Sequence, residues 1–261
     1  MSLWESIILG IVEGLTEFLP VSSTFHLIAA GRLLDVGGGE FAKLFDVVIQ
    51  SGAILAVVLL YWKKLKTDPG LVRKTLAAFV PTAVLGVLAY RTIKDIFFES
   101  DVWMTGIFIA VGLVFLLFEG LVGKGRIKPE RPLTDLTYKH AVIIGLAQCL
   151  AFFPGVSRAG AVILVMMALG FRRDESAAFS FLIAIPTILA AGGYDLFKTR
   201  ELLFGSLTLL PILLAGFITA FAVAYLAVKW FIRYLQRHTL SLFGIYRLIA
   251  GAVLIFLLLL T

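Results

Sequence analysis

The chain has 261 residues, of which 60% are hydrophobic and 15% charged; soluble domains average about 45–50% apolar and about 25% charged residues. Its mean hydropathy of +1.00 excludes a water-soluble globule and indicates a polytopic membrane protein. The formal charge of +6 therefore predicts basic loops at a membrane face, with membrane lipids and no nucleic acid as partners. We expect a single membrane domain over residues 1–261.

Apolar stretches separated by charged residues, Gly or Pro predict an all-α membrane helical bundle of ten helices. A membrane span needs about 20 residues, and the first, second, sixth and seventh predicted helices are too short to cross alone. They form two adjacent pairs, each broken by a proline, Pro20 or Pro154, which is typical of re-entrant helix pairs. The other six are predicted transmembrane spans. The ten predicted helices cover residues 3–18, 22–34, 41–62, 75–92, 103–122, 138–152, 156–170, 175–197, 207–231 and 240–260.

The two proline-broken pairs resemble each other. A constant shift of 134 residues aligns Phe18, Pro20, Ser23, Phe45, Ile49, Leu55 and Ala56 with Phe152, Pro154, Ser157, Phe179, Ile183, Leu189 and Ala190. We therefore predict two five-helix repeats, approximately residues 1–122 and 136–261, joined by a basic cytoplasmic linker over 123–135. Three spans separate the pairs, and because that number is odd the repeats must be inverted. The two pairs then enter from opposite faces and can meet.

Basic residues divide unequally between the two predicted membrane faces. Fifteen of the 23 Lys and Arg residues fall in loops on one side, six fall on the other, and Arg158 and Arg247 lie within the membrane. Because cytoplasmic loops are enriched in Lys and Arg, we predict the fifteen-residue face to be cytoplasmic. The first proline-broken pair then opens to the outer, periplasmic-type face. The six basic residues on that outer face are Arg32, Lys43, Arg91, Lys94, Lys198 and Arg200.

The first pair concentrates polar residues at membrane depth, where they are costly and indicate a functional site. Its two carboxylates share one helix face, which favours a shared proton or a cation, a metal ion or an arginine, between them. The hydroxyl residues after Pro20 begin a helix, either as ordinary caps or as an anion site at free N–H groups. The histidine is suited to general acid–base chemistry or phosphate contact. The residues are Glu13, Glu17, Ser22, Ser23, Thr24 and His26.

The second pair supplies the positive charge that a phosphate site needs. Ser157 and Arg158 stand at another helix start, and Gly155 permits close backbone approach. Arginine presents five donors in a fork suited to phosphate oxygens, so we expect Arg158 to bind a ligand or a carboxylate. A side chain that snorkels to the membrane surface is the alternative. Together the two pairs predict a phosphate pocket beside lipid.

Other polar residues in the predicted bundle receive structural interpretations. Gln50 either lines the site or makes an interhelical hydrogen bond. No P-loop, dinucleotide fingerprint, zinc pattern or nucleophile elbow is present in the sequence. Structural ion pairs are expected for Arg247, Asp46, Glu119 and Asp195.

These motifs resemble those of the undecaprenyl-diphosphate phosphatase family, the bacitracin-resistance integral membrane phosphatases. The match runs over essentially the whole chain, and its most specific parts are EGLTEFLPVSSTFH (13–26) and PGVSRAGAV (154–162). Residues 45–50 and 244–247 add weaker support. The resemblance implies an inverted-repeat bundle of six spans and two re-entrant pairs in a bacterial plasma (inner) membrane.

The resemblance also implies an enzyme and its site. The family hydrolyses undecaprenyl diphosphate, a C55 isoprenoid diphosphate, to undecaprenyl phosphate and inorganic phosphate, which recycles the lipid carrier for peptidoglycan synthesis. A divalent cation, Mg²⁺ or Ca²⁺, is expected at Glu13 and Glu17. Catalytic positions would be Glu13, Glu17, Ser23, His26 and Arg158, and phosphate-binding positions Ser22, Thr24, Gly155, Ser157 and Arg158.

Three residues depart from the family's usual motifs. Ala159 and Val162 replace a serine and a threonine, and Phe25 stands where glycine is usual. Each lost hydroxyl removes a phosphate donor worth about 0.5–1.5 kcal/mol. The acidic, histidine and arginine positions remain, so we expect activity to persist.

The sequence leaves three alternatives open. Inverted repeats with broken helices also build transporters, so a flippase for a prenyl phosphate is the competing function. In an enzyme, either Ser23 attacks phosphorus directly or Glu17 or His26 activates a water molecule. A homodimer is one assembly that the sequence allows.

Overall fold

The computed structural model describes residues 1–36, 39–97, 101–198 and 209–260, without the side chains of 89–97, 101, 198 and 257–260. This part of the chain forms α-helices, two short 3₁₀ helices (Leu133–Asp135 and Cys149–Phe152) and connecting segments, and contains no strand. The helices are α1 (Leu3–Thr16), α2 (Ser23–Leu33), α3 (Glu40–Thr67), α4 (Pro69–Phe97), α5 (Asp101–Gly123), α6 (Tyr138–Gln148), α7 (Arg158–Ala168), α8 (Arg173–Lys198), α9 (Leu210–Leu235) and α10 (Ser241–Leu260).

The predicted all-α bundle of ten helices is confirmed, and each predicted helix has its counterpart in the described chain. Among the described residues, five helices are long and apolar enough to cross a membrane: α3, α4, α5, α8 and α9. The side chains of α10 are described only as far as Phe256, which leaves a segment shorter than a span. The chain is thus a multi-pass membrane protein, while the number of six spans stays a prediction.

The loop predicted between the third and fourth helices is wrong, because nearly all of it is helical. α3 continues through its lysine-rich end to Thr67, and α4 begins at Pro69, so only Asp68 separates them. Lysines favour the C-terminal end of a helix dipole. Asp68 caps α4 by accepting the N–H of Leu71 at 2.8 Å, and proline is well placed at the first helical position.

The first helix of each proline-broken pair begins with a capping box. The Ser2 hydroxyl accepts the N–H of Glu5, whose carboxylate accepts the N–H of Ser2. Thr137 and His140 exchange the same two bonds at the start of α6. Each box satisfies N–H groups that a helix start would otherwise leave free, so both short helices begin at a fixed residue.

Helix packing follows a reciprocal pattern. α1 and α3 pack against α9, α6 and α8 pack against α4, α3 packs against α8, and α5 packs against α10. Helices α1 to α5 of the first predicted repeat correspond in order to α6 to α10 of the second. When each helix is replaced by its counterpart, the same set of contacts results. This is the packing expected of an inverted repeat, although the division of the chain into two repeats stays a prediction.

Small residues allow α1 to lie directly on α9. A Cβ atom added at Gly10 would come 2.7 Å from the carbonyl oxygen of Gly216. One added at Gly14 would come 2.8 Å from the carbonyl oxygen of Ala220. Glycines four residues apart are typical of close helix–helix contact in membranes. They fix the position of α1, whose C-terminal end carries Glu13 and Glu17.

The basic loops lie together at one end of the bundle. In the 123–135 linker, the N–H of Arg131 donates to the carbonyl of Gly170 and its carbonyl accepts the N–H of Arg172. A cavity at this end of the bundle lies between the α3–α4 turn, the linker and the start of α8. Among the six basic residues predicted on the other face, Arg91, Lys94, Lys198 and Arg200 lie outside the described side chains.

Candidate active site

The first hinge, residues 17–22, ends α1 and turns the chain into α2. Glu17 follows Glu13 by one helical turn, and its N–H donates to the Glu13 carbonyl at 2.9 Å. Ser22 has φ +67° and ψ +95°, a conformation that costs a non-glycine residue energy and persists only where the surroundings hold it. Of the two roles that the sequence left open for the hydroxyls after Pro20, ordinary capping is not found at Ser22, whose hydroxyl makes no capping bond to α2.

The second hinge, residues 153–157, turns the chain into α7. Gly155 has φ +90°, which glycine adopts without steric cost. Ser157 has extended backbone, and its hydroxyl accepts the N–H of Gly160 at 3.1 Å. The helix start predicted at Ser157 is therefore capped by its own hydroxyl, and it places Arg158 in the first turn of α7.

The two hinges meet through direct side-chain contacts. Arg158 Nη2 donates to Glu17 Oε1 at 2.8 Å, and the Ser23 hydroxyl donates to Glu17 Oε2 at 2.5 Å. Ser157 donates to the carbonyl of Leu19 at 3.3 Å. The side chains of Arg158 and Glu17 are only 11% and 8% exposed. The expectation that Arg158 binds a carboxylate is confirmed, and Glu17 lies between a guanidinium and a hydroxyl.

A cavity of about 130 Å³ opens where the hinges meet. Both hinges contribute to its walls, and Gln50 of α3 adds an amide, so the interpretation of Gln50 as a wall of the site is supported. The lining residues are Glu17, Ser22, Ser23, Thr24, Gln50, Ala151, Val156, Ser157 and Arg158.

The carboxylate of Glu13 lies one helical turn before Glu17, outside the cavity lining. Its side chain is fully buried, and neither carboxylate oxygen accepts a hydrogen bond from the described residues. A buried carboxylate normally pairs with a donor, a proton or a metal ion. No group of three or more His, Cys, Asp or Glu side chains suited to a metal occurs in the described chain.

Two predicted site residues, His26 and Gly155, lie outside the lining of the cavity. A carbonyl can only accept, so His26 Nδ1 must donate to the Ser22 carbonyl at 2.7 Å, while Nε2 faces the Tyr246 hydroxyl at 2.5 Å. Neither His26 nor Gly155 lines the cavity. Their catalytic and phosphate-binding roles stay predictions that this geometry does not support.

Two charged residues outside the hinges test the expectation of structural ion pairs. Glu119 pairs with Arg173 at 2.5 Å and also accepts the N–H of Leu240, as predicted. The expectation is wrong for Arg247, whose hydrogen bonds go to backbone carbonyls and whose guanidinium lies over the Phe108 ring at 4.3 Å. The helix breaks leave the carbonyls of Pro20 and Gly155 free to accept from the long Arg247 side chain. The sequence does not show which backbone carbonyls are free in this way.

The sequence also missed Tyr246 and the backbone partners. Tyr246 stacks on His26, with ring centroids 5.7 Å apart. A polar ring beside Arg247 in an apolar helix was the available signal. The carbonyls of Leu19 and Ser22 gave no signal, because every residue carries one.

Comparison with known proteins adds a family to this geometry. The family model described as bacitracin resistance protein BacA matches residues 6–253. The chain belongs to this family. An undecaprenyl-diphosphatase of Campylobacter hominis is 44% identical over 99% of this chain and 100% of its own length. Those of Persephonella marina and Aquifex aeolicus are 45% and 40% identical, each over 97% of this chain and 98% and 97% of their own lengths.

The family resemblance drawn from the hinge motifs is thus confirmed, and the three departures from those motifs have defined surroundings. Phe25 stacks on Phe108 of α5, with centroids 3.8 Å apart. Ala159 and Val162 are buried in the helix packing around α7. None of the three lines the cavity, so these departures leave its polar walls in place.

Proposed function

We propose that this BacA-family protein hydrolyses undecaprenyl diphosphate to undecaprenyl phosphate and inorganic phosphate, returning the lipid carrier to peptidoglycan synthesis. The observation that carries the proposal is the contact of Glu17 with both Ser23 and Arg158. It joins a proton acceptor, a hydroxyl and a phosphate-binding cation at one cavity. The names of the relatives favour this phosphatase over the transporter that the sequence left open.

The residues of the cavity are suited to stabilise a transferring phosphoryl group. Phosphoryl transfer depends on positioning and on compensation of charge around the equatorial oxygens. Arg158 can form two parallel bonds to phosphate oxygens once it leaves Glu17. The hydroxyls of Ser22 and Thr24 add neutral donors at the start of α2, where the helix dipole also favours an anion.

Proton transfer has an acceptor already in place. The Ser23 hydroxyl donates to Glu17 Oε2, so Glu17 can take this proton while the Ser23 oxygen attacks the terminal phosphorus. The bond to the bridging oxygen then breaks and undecaprenyl phosphate leaves; water later releases phosphate from the serine. Alternatively, Glu17 takes a proton from a water that attacks phosphorus directly.

A divalent cation, Mg²⁺ or Ca²⁺, is part of the proposal. The uncommitted oxygens of Glu13 are the hard donors that such an ion takes, whereas both oxygens of Glu17 already accept hydrogen bonds. Glu13 would hold the ion with a contribution from Glu17, and diphosphate oxygens and water would complete its six to eight ligands. A bound cation supplies charge that compensates the diphosphate.

We place the cavity toward the outer face of the bacterial plasma membrane. Gln50 in the cavity wall lies fourteen residues before Lys64 along α3, a distance of about 21 Å in a helix. The basic loops thus lie well away from the cavity, and basic loops are typical of the cytoplasmic face. A homodimer stays a prediction.

Release of inorganic phosphate tests the function. Purified protein in detergent is mixed with undecaprenyl diphosphate and free phosphate is measured over time. We expect Glu17→Ala and Arg158→Ala each to lower the rate about 100-fold or more, because each removes a charge aimed at the reacting group. Arg172→Ala is the control, since this exposed arginine pairs with Asp174 outside the cavity and its loss should leave the rate unchanged.

The same assay separates the alternatives. No release by the unaltered protein, with binding of the diphosphate intact, contradicts the phosphatase and supports a carrier. Full activity of Ser23→Ala eliminates the serine route and leaves the activated water, whereas a trapped phosphoserine that this variant lacks supports the serine route.

A further inference from the structure

Arg247 is a fully buried arginine that contacts three separate segments of the chain. Its Nε donates to the carbonyl of Phe108 at 3.0 Å, and its Nη1 donates to the carbonyl of Pro20 at 3.1 Å. Its Nη2 donates to the carbonyl of Gly155. Its side chain has no exposed surface. One guanidinium therefore connects α10 with α5 and with both hinges.

The two hinge carbonyls need such a donor. Broken helices free carbonyls from their intrahelical partners, and an unsatisfied carbonyl at membrane depth is costly. Pro20 precedes Ser22 and Ser23, and Gly155 precedes Ser157 and Arg158. The bonds from Arg247 therefore hold the backbone two or three residues before Ser22, Ser23, Ser157 and Arg158.

Arg247 is itself held on a rigid support. α5 and α10 touch at Gly112 and Gly244: a Cβ at Gly112 would lie 2.9 Å from Arg247 Cβ and 3.0 Å from the Gly244 carbonyl oxygen. The guanidinium lies 4.3 Å from the centroid of the Phe108 ring. The same ring stacks on Phe25 of α2. The donor positions are thus fixed by close packing on several sides.

We propose that Arg247 is a positioning residue that sets the distance between the two hinges and thereby aligns Ser23 and Glu17 with Arg158. The proposal rests on the proposed phosphatase function for its kinetic consequence, but its structural consequence is independent of it. Only the planar fork of arginine reaches three carbonyls in different directions; a lysine ammonium carries its donors on a single nitrogen.

Kinetics of Arg247→Lys test the positioning role. We expect kcat to fall about 100-fold with KM nearly unchanged, because misplacement of reacting groups by about 1 Å has such an effect on the chemical step. Arg173→Lys is the matched control. Arg173 also joins helices through buried contacts, by way of Glu119, but at the basic end of the bundle. We expect Arg173→Lys to lower the free energy of unfolding while the folded variant keeps its kcat.

A distance measurement tests the same role without activity. Spin labels on Thr24→Cys and Ala151→Cys, in a Cys149→Ser background, report the separation of the two walls by dipolar electron paramagnetic resonance. We expect one narrow distribution with Arg247 and a broadened one with Arg247→Lys, while Arg173→Lys stays narrow. Gly112→Ala is a second variant, which displaces Arg247 without altering its charge and should broaden the distribution less.

The outcomes are distinguishable. An unchanged distribution in both Arg247→Lys and Gly112→Ala overturns the positioning role, whatever the activity. A broadened distribution with unchanged kcat overturns it too, because the distance would not matter for the reaction. If the unaltered protein releases no phosphate, the phosphatase function fails, while the spin-label distances still show whether Arg247 fixes the hinges.

Discussion

A serine in left-handed conformation lies where the two hinges meet. At φ +67° and ψ +95°, Ser22 lines the cavity, and its carbonyl accepts a hydrogen bond from His26. Strained residues that surrounding bonds hold in place are concentrated at functional sites. The hydrogen bond from His26, itself held by Tyr246, is the contact that stabilises this backbone.

Ser22→Gly and Ser22→Ala separate the strain from the hydroxyl. Both remove the hydroxyl, but only glycine adopts positive φ without steric cost, so Ser22→Gly should be about 1 kcal/mol more stable than Ser22→Ala. Unfolding by denaturant in mixed micelles measures the difference. Equal stability of the two variants would show that the backbone at this position carries no strain.

The contacts of individual site residues were predictable where they depend on charged side chains. Charged groups at membrane depth are rare and need partners, which predicted a ligand or a carboxylate for Arg158, and the inverted repeat predicted that the two hinges meet. Prediction from charge failed for Arg247 and His26, because their partners are backbone carbonyls and, for His26, also the Tyr246 hydroxyl. The direction in which a carbonyl points at a helix break depends on the φ and ψ angles of Ser22 and Gly155. Residue type does not specify these angles.

Single helices were predicted well because apolar length and proline breaks are local signals. The error at the α3–α4 boundary came from treating lysines as loop residues. Lys63, Lys64 and Lys66 are good helix formers, and at a membrane surface their charged ends stay in water while the backbone remains helical. The closeness of α1 to α9 was not predicted, although the spacing of Gly10 and Gly14 was visible in the sequence.

Gly14→Ala tests whether this close contact positions the site. The added Cβ would lie 2.8 Å from both the Ala220 carbonyl oxygen and Val223 Cβ, so α1 must move away from α9, at a cost of about 1–3 kcal/mol. We expect lower stability and slower phosphate release. Gly120→Ala in α5 is the control, because nothing lies within 4 Å of its added Cβ; it should be neutral or stabilising. Equal effects of the two would contradict this role.

The polar site and the basic loops lie at different levels of the molecule. The hinges enclose hydroxyls, Glu17 and Arg158 within the bundle, whereas basic loops at one end surround the linker that Arg131 fastens to Gly170. The sequence predicted this division from the distribution of Lys and Arg. It could not predict how the linker docks, because that contact consists of backbone bonds.

The proposed orientation in the membrane is directly measurable. In a Cys149→Ser background, Glu40→Cys at the start of α3 and Glu130→Cys in the linker place one exposed thiol at each end by the same substitution. A membrane-impermeant thiol reagent added to intact spheroplasts should label Glu40→Cys alone, and Glu130→Cys only after permeabilisation. The reverse pattern would invert the orientation.

The ion pair between Glu17 and Arg158 has a consequence for which molecules the cavity accepts. An incoming anion must exchange with Glu17 on the guanidinium before it is held. A monovalent ligand brings Arg158 no more charge than Glu17 already does, whereas a diphosphate brings more. We therefore expect the pair to favour ligands that carry more than one negative charge, whatever their hydrocarbon tails.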